Sequence, residues 1–220
     1  MKWRKLIAGM GAVAALWPVT APAAPLPADD PSPGALFRKV CEASDARNDA
    51  IVANARAAGF AVGTSRESAP TDVIGMIVLE RHTATGRQSI VTGTKRVSPI
   101  EGRSDEVDLR SCSLSLSAPG WDARGFLTHW LGMPPATSSP TQVAFYYRQR
   151  GDTYIAIDRE HDQRAFIAAL NAGTLHIALA LEKGEYRNLT LGIFNKPDPP
   201  LRLPGAGSAF EEPPAQPSVP

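Results

Sequence analysis

The tightest constraint on the fold of this chain is its pair of cysteines, Cys41 and Cys112, which are the only two it has. Two thiols allow a single connectivity, so a bridge has one possible form. Whether it closes depends on the compartment, and the N-terminus bears on that. Met1-Lys2-Trp3-Arg4-Lys5 is a short basic stretch, and Leu6 to Trp17 is apolar and uncharged. Ala21-Pro22-Ala23 then supplies the small residues that a signal peptidase reads. Together they predict a signal peptide over residues 1–23, cut between Ala23 and Ala24. The apolar run stops at Pro18, short of the roughly 20 residues a spanning helix needs. The expected address is periplasmic or secreted, an oxidising space in which Cys41 and Cys112 form a disulfide. Closing so long a loop stabilises the fold by about 4 kcal/mol on the chain-entropy argument.

Cleavage removes Lys2, Arg4 and Lys5 and no acid, so the formal charge moves from +1 to slightly negative. A nearly neutral chain lacks the field to hold nucleic acid, and none is expected as a partner. No transmembrane segment is expected after cleavage. Residues 24–34 read as a proline-rich leader. Residues 197–220 are again proline-rich, with Leu201, Leu203, Phe210 and Val219 as their only large apolar residues. So little burial does not offset the entropy of ordering, and a disordered tail is predicted. Residues 35–196 have the length of one domain.

Within that domain the hydrophobic period changes repeatedly. Leu36, Phe37, Val40 and Cys41 share a helical face, as do Ile51, Val52 and Ala55, with Gly59 as the stop. The polar stretch 44–49 leaves one long helix or two short ones, and Ser44 or Asp45 is a candidate cap for the second. Val73 to Leu79 predicts a strand buried on both faces, with Gln88 to Lys95 as its partner. Glu106 to Ser117 predicts a third strand. Val107 and Leu109 follow one parity there, and Cys112, Leu114 and Leu116 the other. A β-bulge near Arg110-Ser111 would restore a single buried face. Trp121 to Leu131 is helical, ended by Gly132. Two alternating strands then flank the turn Gly151-Asp152. Glu160 to Ala172 is helical, with Asp158 as a possible cap. Leu175 to Leu181 and Leu189 to Ile193 are the last strands, turned near Gly184. The expected class is α+β, a single domain with a mostly antiparallel sheet and helices packed on one face.

No nucleophile elbow, P-loop, paired-cysteine motif or zinc-protease helix is present. The sequence therefore names no catalytic, cofactor-binding or metal-ligating residue, and no cofactor is expected. Among His82, His129, His161 and His176, only Glu160-His161-Asp162 forms a local cluster. Neighbours on a helix diverge, so it reads as a charged helix start. Arg150-Gly151-Asp152 sits where hairpin turn chemistry requires Gly-Asp. Tyr146, Arg148, Arg150 and Tyr154 are placed on one face of that hairpin as a candidate binding surface. Asn188-Leu189-Thr190 matches the glycosylation pattern but lies within a predicted strand.

The Ala-rich helix from Cys41 to Gly59-Phe60, then Cys112 and Trp130-Leu131-Gly132, resembles small uncharacterised exported proteins of Gram-negative bacteria. The stretch Phe166, Leu170, Gly173, Leu175 and Ile177 is similar to the last part of invasion-associated-locus-B-like proteins. The resemblance implies a periplasmic address and carries over no catalytic residue. The expected function is a non-enzymatic binding module for an envelope protein or cell-wall component. A hydrolase with a site assembled from dispersed residues and a structural or stress-related envelope protein are the alternatives.

Overall fold

The computed structural model describes residues 32–63, 73–99 and 106–197. The predicted signal peptide, most of the predicted leader and all of the predicted tail except Pro197 lie outside the described residues. Among these, nine strands form one antiparallel sheet: β1 Ala61–Val62, β2 Val73–Thr83, β3 Gly86–Val97, β4 Val107–Ser117, β5 Thr137–Ser139, β6 Gln142–Arg150, β7 Thr153–Ala156, β8 His176–Lys183 and β9 Tyr186–Phe194. The spatial order is β1-β2-β3-β4-β9-β8-β6-β5, and β7 also pairs with β6. Tyr147 pairs with His176 on one side and Ala156 on the other, so β7 shares the outer edge with β5. The helices are α1 Pro33–Phe37, α2 Asn48–Ala57, α3 Ala123–Leu131 and α4 Gln163–Asn171, with a π-helical turn Arg38–Glu42 after α1.

The first helical region is two pieces. Ser32 caps α1 by accepting the Ala35 N–H, and Pro33 occupies a position that needs no donor. After the π turn, Asp45 and Ala46 both adopt left-handed backbone, with φ of 51° and 50°. That reverses the chain before α2. Neither Ser44 nor Asp45 caps α2. The Ser44 hydroxyl donates to the Val40 carbonyl, and the cap position is Arg47 without a side-chain bond. Gly59, at φ 84°, ends the helix as expected.

β4 organises the molecule, and it corrects the expected bulge. Its pairing with β3 and β9 runs without a shift through Leu109, Arg110, Ser111 and Cys112. The change of parity therefore means that the two ends of one regular strand are buried on opposite faces. Cys112, Leu114 and Leu116 face the layer formed by α1, the π turn, α2 and α3. Val107 and Leu109 face the other way, against Phe166 and Leu170 of α4. The α+β class and the antiparallel sheet are as expected. The one-face placement holds for α1 to α3, whereas α4 covers one end of the opposite face. The bulge is instead in β2, between Ile74 and Ile77, where Gly75 has φ of 64°. β2 is also not buried on both faces: Ile74 is 64% exposed. Among the described residues its outer neighbour is β1, which spans two residues and pairs with Leu79 and Glu80, and Gly63 beyond it donates to the Val78 carbonyl at 2.8 Å.

Cys41, in the π turn, is bonded to Cys112, with the Cα atoms 5.5 Å apart and a sequence separation of 71. Both are fully buried. Removing the bond with Cys41→Ala and Cys112→Ala together should lower unfolding free energy by about 2–4 kcal/mol, read by guanidinium denaturation. In the native chain neither thiol should alkylate until reductant is added, which a mass measurement decides. Gly34 supplies a second test, because a Cβ there would collide with the Phe126 ring of α3. Gly34→Ala should cost about 1–3 kcal/mol by forcing α1 and α3 apart.

Candidate functional site

The face of the sheet beneath α4 holds an apolar cleft of about 150 Å³. The alternation of four neighbouring strands builds its floor. Leu109 of β4 lies opposite Phe194 of β9, and Tyr146 of β6 lies opposite Ile177 of β8. Ala144 faces Leu179 two residues along the same strands. Gly192 sits between Leu109 and Ile177, and a Cβ there would come within 2.8 Å of one and 2.9 Å of the other. Its lack of a side chain lets the two large ones close over it. Phe166 of α4 forms the wall. An apolar cavity of roughly this volume holds one benzene-sized group.

The mouth is charged. Lys95 of β3 lines it, together with Asp158, Arg159 and Glu160 from the turn before α4. The Asp158 carboxylate fixes that turn, accepting the backbone N–H groups of Glu160 and His161 at 2.9 Å each and meeting His161 Nδ1 at 2.8 Å. The His161 N–H and then its ring hold the Asp158 carboxyl below its usual range, and the carboxylate in turn raises the His161 imidazole. The turn aims Arg159 at two rings, its guanidinium carbon 5.9 Å from the Tyr146 centroid and 5.7 Å from that of Phe166. Arg159 Nη1 donates to the Tyr146 hydroxyl at 3.4 Å, and Tyr146 meets Phe166 edge to face. A planar cation against two aromatic rings is thereby held at the entrance.

Helix α4 begins later than expected. Its cap is Asp162, which accepts the Ala165 N–H at 2.8 Å, so Glu160 and His161 belong to the turn rather than the helix. The His161 side chain is 80% exposed and does not line the cleft.

The hairpin β6–β7 divides the predicted surface. Tyr146, Arg148 and Arg150 lie on the cleft side of β6, with Tyr146 inside the cleft and the two arginines exposed beyond it. Tyr154 does not join them. The two-residue turn pairs Arg150 with Thr153, so Tyr154 falls opposite Gln149 and points to the other face. There its hydroxyl donates to Glu42 Oε1 at 2.5 Å and accepts the Trp130 indole N–H at 3.2 Å. Burial first, and Glu42 second, push the Tyr154 hydroxyl up to about 12.

The histidines are dispersed. His176 stacks on Tyr147, with centroids 5.1 Å apart, and contacts the Thr174 carbonyl through Nδ1. Its Nε2 lies 3.7 Å from Asp45, on the left-handed turn. Burial lowers its imidazole below the ordinary value, Asp45 opposes that shift, and Arg110 adds to it. His129 lines an open, polar depression beside α3, and His82 is exposed on β2. Among the described residues, no group of three or more His, Cys, Asp or Glu is placed to hold a metal ion. Asn188 lies within β9, where its amide donates to the Ser115 hydroxyl at 2.8 Å.

Two tests follow from these contacts. Tyr154→Phe leaves the ring in place but strips Glu42 and Trp130 of a partner, and should cost about 1–2 kcal/mol in thermal or chemical unfolding. His176 sets a pH dependence. Because its folded value is depressed from 6.5, its contribution is complete above that pH and is lost as the pH falls through the folded value. Wild type should therefore lose more stability between about pH 7.5 and about pH 5 than His176→Gln does, compared by urea titration at both.

Compared with known proteins, the chain matches no protein family, no curated protein and no solved structure.

Proposed function

We propose that this chain is an exported, non-enzymatic binding module of the cell envelope, which holds the apolar part of a ligand in the cleft beneath α4. The cleft itself carries this reading. It is an apolar recess walled by Leu109, Ile177, Leu179, Phe166 and Phe194, with charged groups gathered at one mouth. A concave apolar lining with a few polar groups at its edge is the common form of a binding site. The buried Cys41–Cys112 disulfide and the absence of a helix long and apolar enough to cross a membrane, among the described residues, are compatible with export. The resemblance to small exported proteins supports the same address. Arg148 and Arg150 extend the mouth along β6, so an envelope protein or cell-wall component has a surface beyond the cleft on which to rest.

Titration with benzene, a neutral single-ring probe of the size the cleft holds, tests the cleft by amide NMR. Shifts should concentrate at Phe166, Ile177, Leu179 and Phe194. Ala144→Phe, which fills the floor from β6, should abolish them while leaving the rest of the spectrum in place. Shifts scattered over the surface, or unchanged by Ala144→Phe, would remove the cleft as the site.

A further inference from the structure

We propose that the first stretch of the C-terminal tail, residues 198–204, closes this cleft in the free protein, presenting Leu201 and Leu203 to it until a ligand displaces them. The inference rests on the binding-module reading above and adds how that site is regulated. The lining carries two acids, Asp158 and Glu160, and two bases, Lys95 and Arg159. Both bases have further partners. No net charge is left to choose an occupant, so the apolar floor chooses it. That floor is shut off from bulk water, with Ala144, Leu179 and Phe194 only 2%, 8% and 4% exposed. A side chain entering there is desolvated as it would be in the core. The recess of about 150 Å³ takes a group the size of benzene, and a leucine side chain is smaller.

The tail leaves the domain beside this cleft. Phe194 lines the cleft, and the Asn195 N–H donates to the Asp108 carbonyl at 2.8 Å, so the chain stays against β4 as it leaves β9. Lys196 then passes the C-terminal end of α4, where a Cβ on Gly173 would come within 3.2 Å of the Lys196 Cβ. Pro197 is buried. The exit is thereby fixed on the side of the sheet that α4 covers. Leu201 and Leu203 follow four and six residues after Pro197. An extended chain of those lengths spans roughly 13 and 20 Å. β6, on the far side of the floor, is two strand spacings from β9, or about 10 Å. Both leucines therefore reach, and two residues apart in an extended chain they point to the same side. Phe210 and Val219, the other large apolar residues of the tail, lie further on and close a longer loop. Pro199, Pro200 and Pro204 hold residues 198–204 extended beforehand, which lowers the entropy lost on seating. Asp198 and Arg202 cancel, in keeping with a mouth of balanced charge. A segment too poor in apolar residues to fold by itself can still place two side chains in a recess that the domain has already formed.

In the oxidised full-length chain without ligand, NOEs should connect the methyl groups of Leu201 and Leu203 with the rings of Phe166 and Phe194. Leu201→Ser with Leu203→Ser should remove them and move the cleft amides while the rest of the spectrum stays in place. The same variant should bind benzene about tenfold tighter, the factor expected when the tail occupies the site for about nine-tenths of the time. The cleft resonances should hold their positions on dilution, because the contact lies within one chain. Equal benzene affinities in the native chain and the variant would overturn the inference and leave the cleft reading standing, and so would absent NOEs in the native chain. NOEs from Phe210 in place of the two leucines would overturn the choice of segment. Cleft resonances that shift on dilution would assign the tail to a second copy and overturn closure within one chain. Benzene that reaches the cleft in neither protein would sink the cleft reading, and the tail's part in regulating it would fall as well.

Discussion

The bond between Cys41 and Cys112 ties the helical layer to an interior strand of the sheet, and much of the packing is arranged around it. Cys112 lies in β4, with β3 on one side and β9 on the other. Cys41 lies in the π turn that continues α1. The link therefore fixes the helical segment against the sheet at a point where both partners are fully buried. Once it is in place, α1 and α3 close around Phe37, Phe126 and Trp130, and Gly34 allows their approach. The left-handed pair Asp45-Ala46 then turns the chain into α2, and Ala46 is itself buried. The strain of two consecutive non-glycine residues in that region persists because the surrounding packing holds it.

β4 does a second job at its other end. Its side chains alternate between two environments, and the register does not slip between them. Leu109 and Val107 bury against α4, while Cys112, Leu114 and Leu116 bury against the other helices. Because α4 covers only one end of its face, the remainder of that face is lined by small polar side chains. Ser113 bonds Thr190 at 2.8 Å, and Ser115 accepts from Asn188. The cleft opens at the boundary between the covered and uncovered parts, on a floor of neighbouring strands that are distant in the sequence.

Much of the local structure was legible beforehand. Gly132, Gly173 and Gly184 mark ends and turns because each adopts positive φ, a conformation that favours glycine. The Gly151-Asp152 hairpin was readable for the same reason. The candidate surface was readable in part. Tyr146, Arg148 and Arg150 share a face through the period of two, a property of one strand. Tyr154 required the cross-strand register, which pairs it with Gln149. The cleft itself had no signal in sequence, since Leu109, Phe166 and Ile177 are apolar positions of separate elements and nothing local brings them to Ala144 and Phe194.

The sequence alone determined the single possible cysteine pairing, the alternation of helical and extended segments, the main turns and hence the α+β class. These depend on residue chemistry and on contacts between near neighbours. Tertiary structure decided the order of strands, the placement of α4 on the opposite face, and the resulting cleft with Arg159 at its mouth. Each of these depends on which distant segments cover which side of β4. An alternating strand records that it has two faces, but not what will bury either of them.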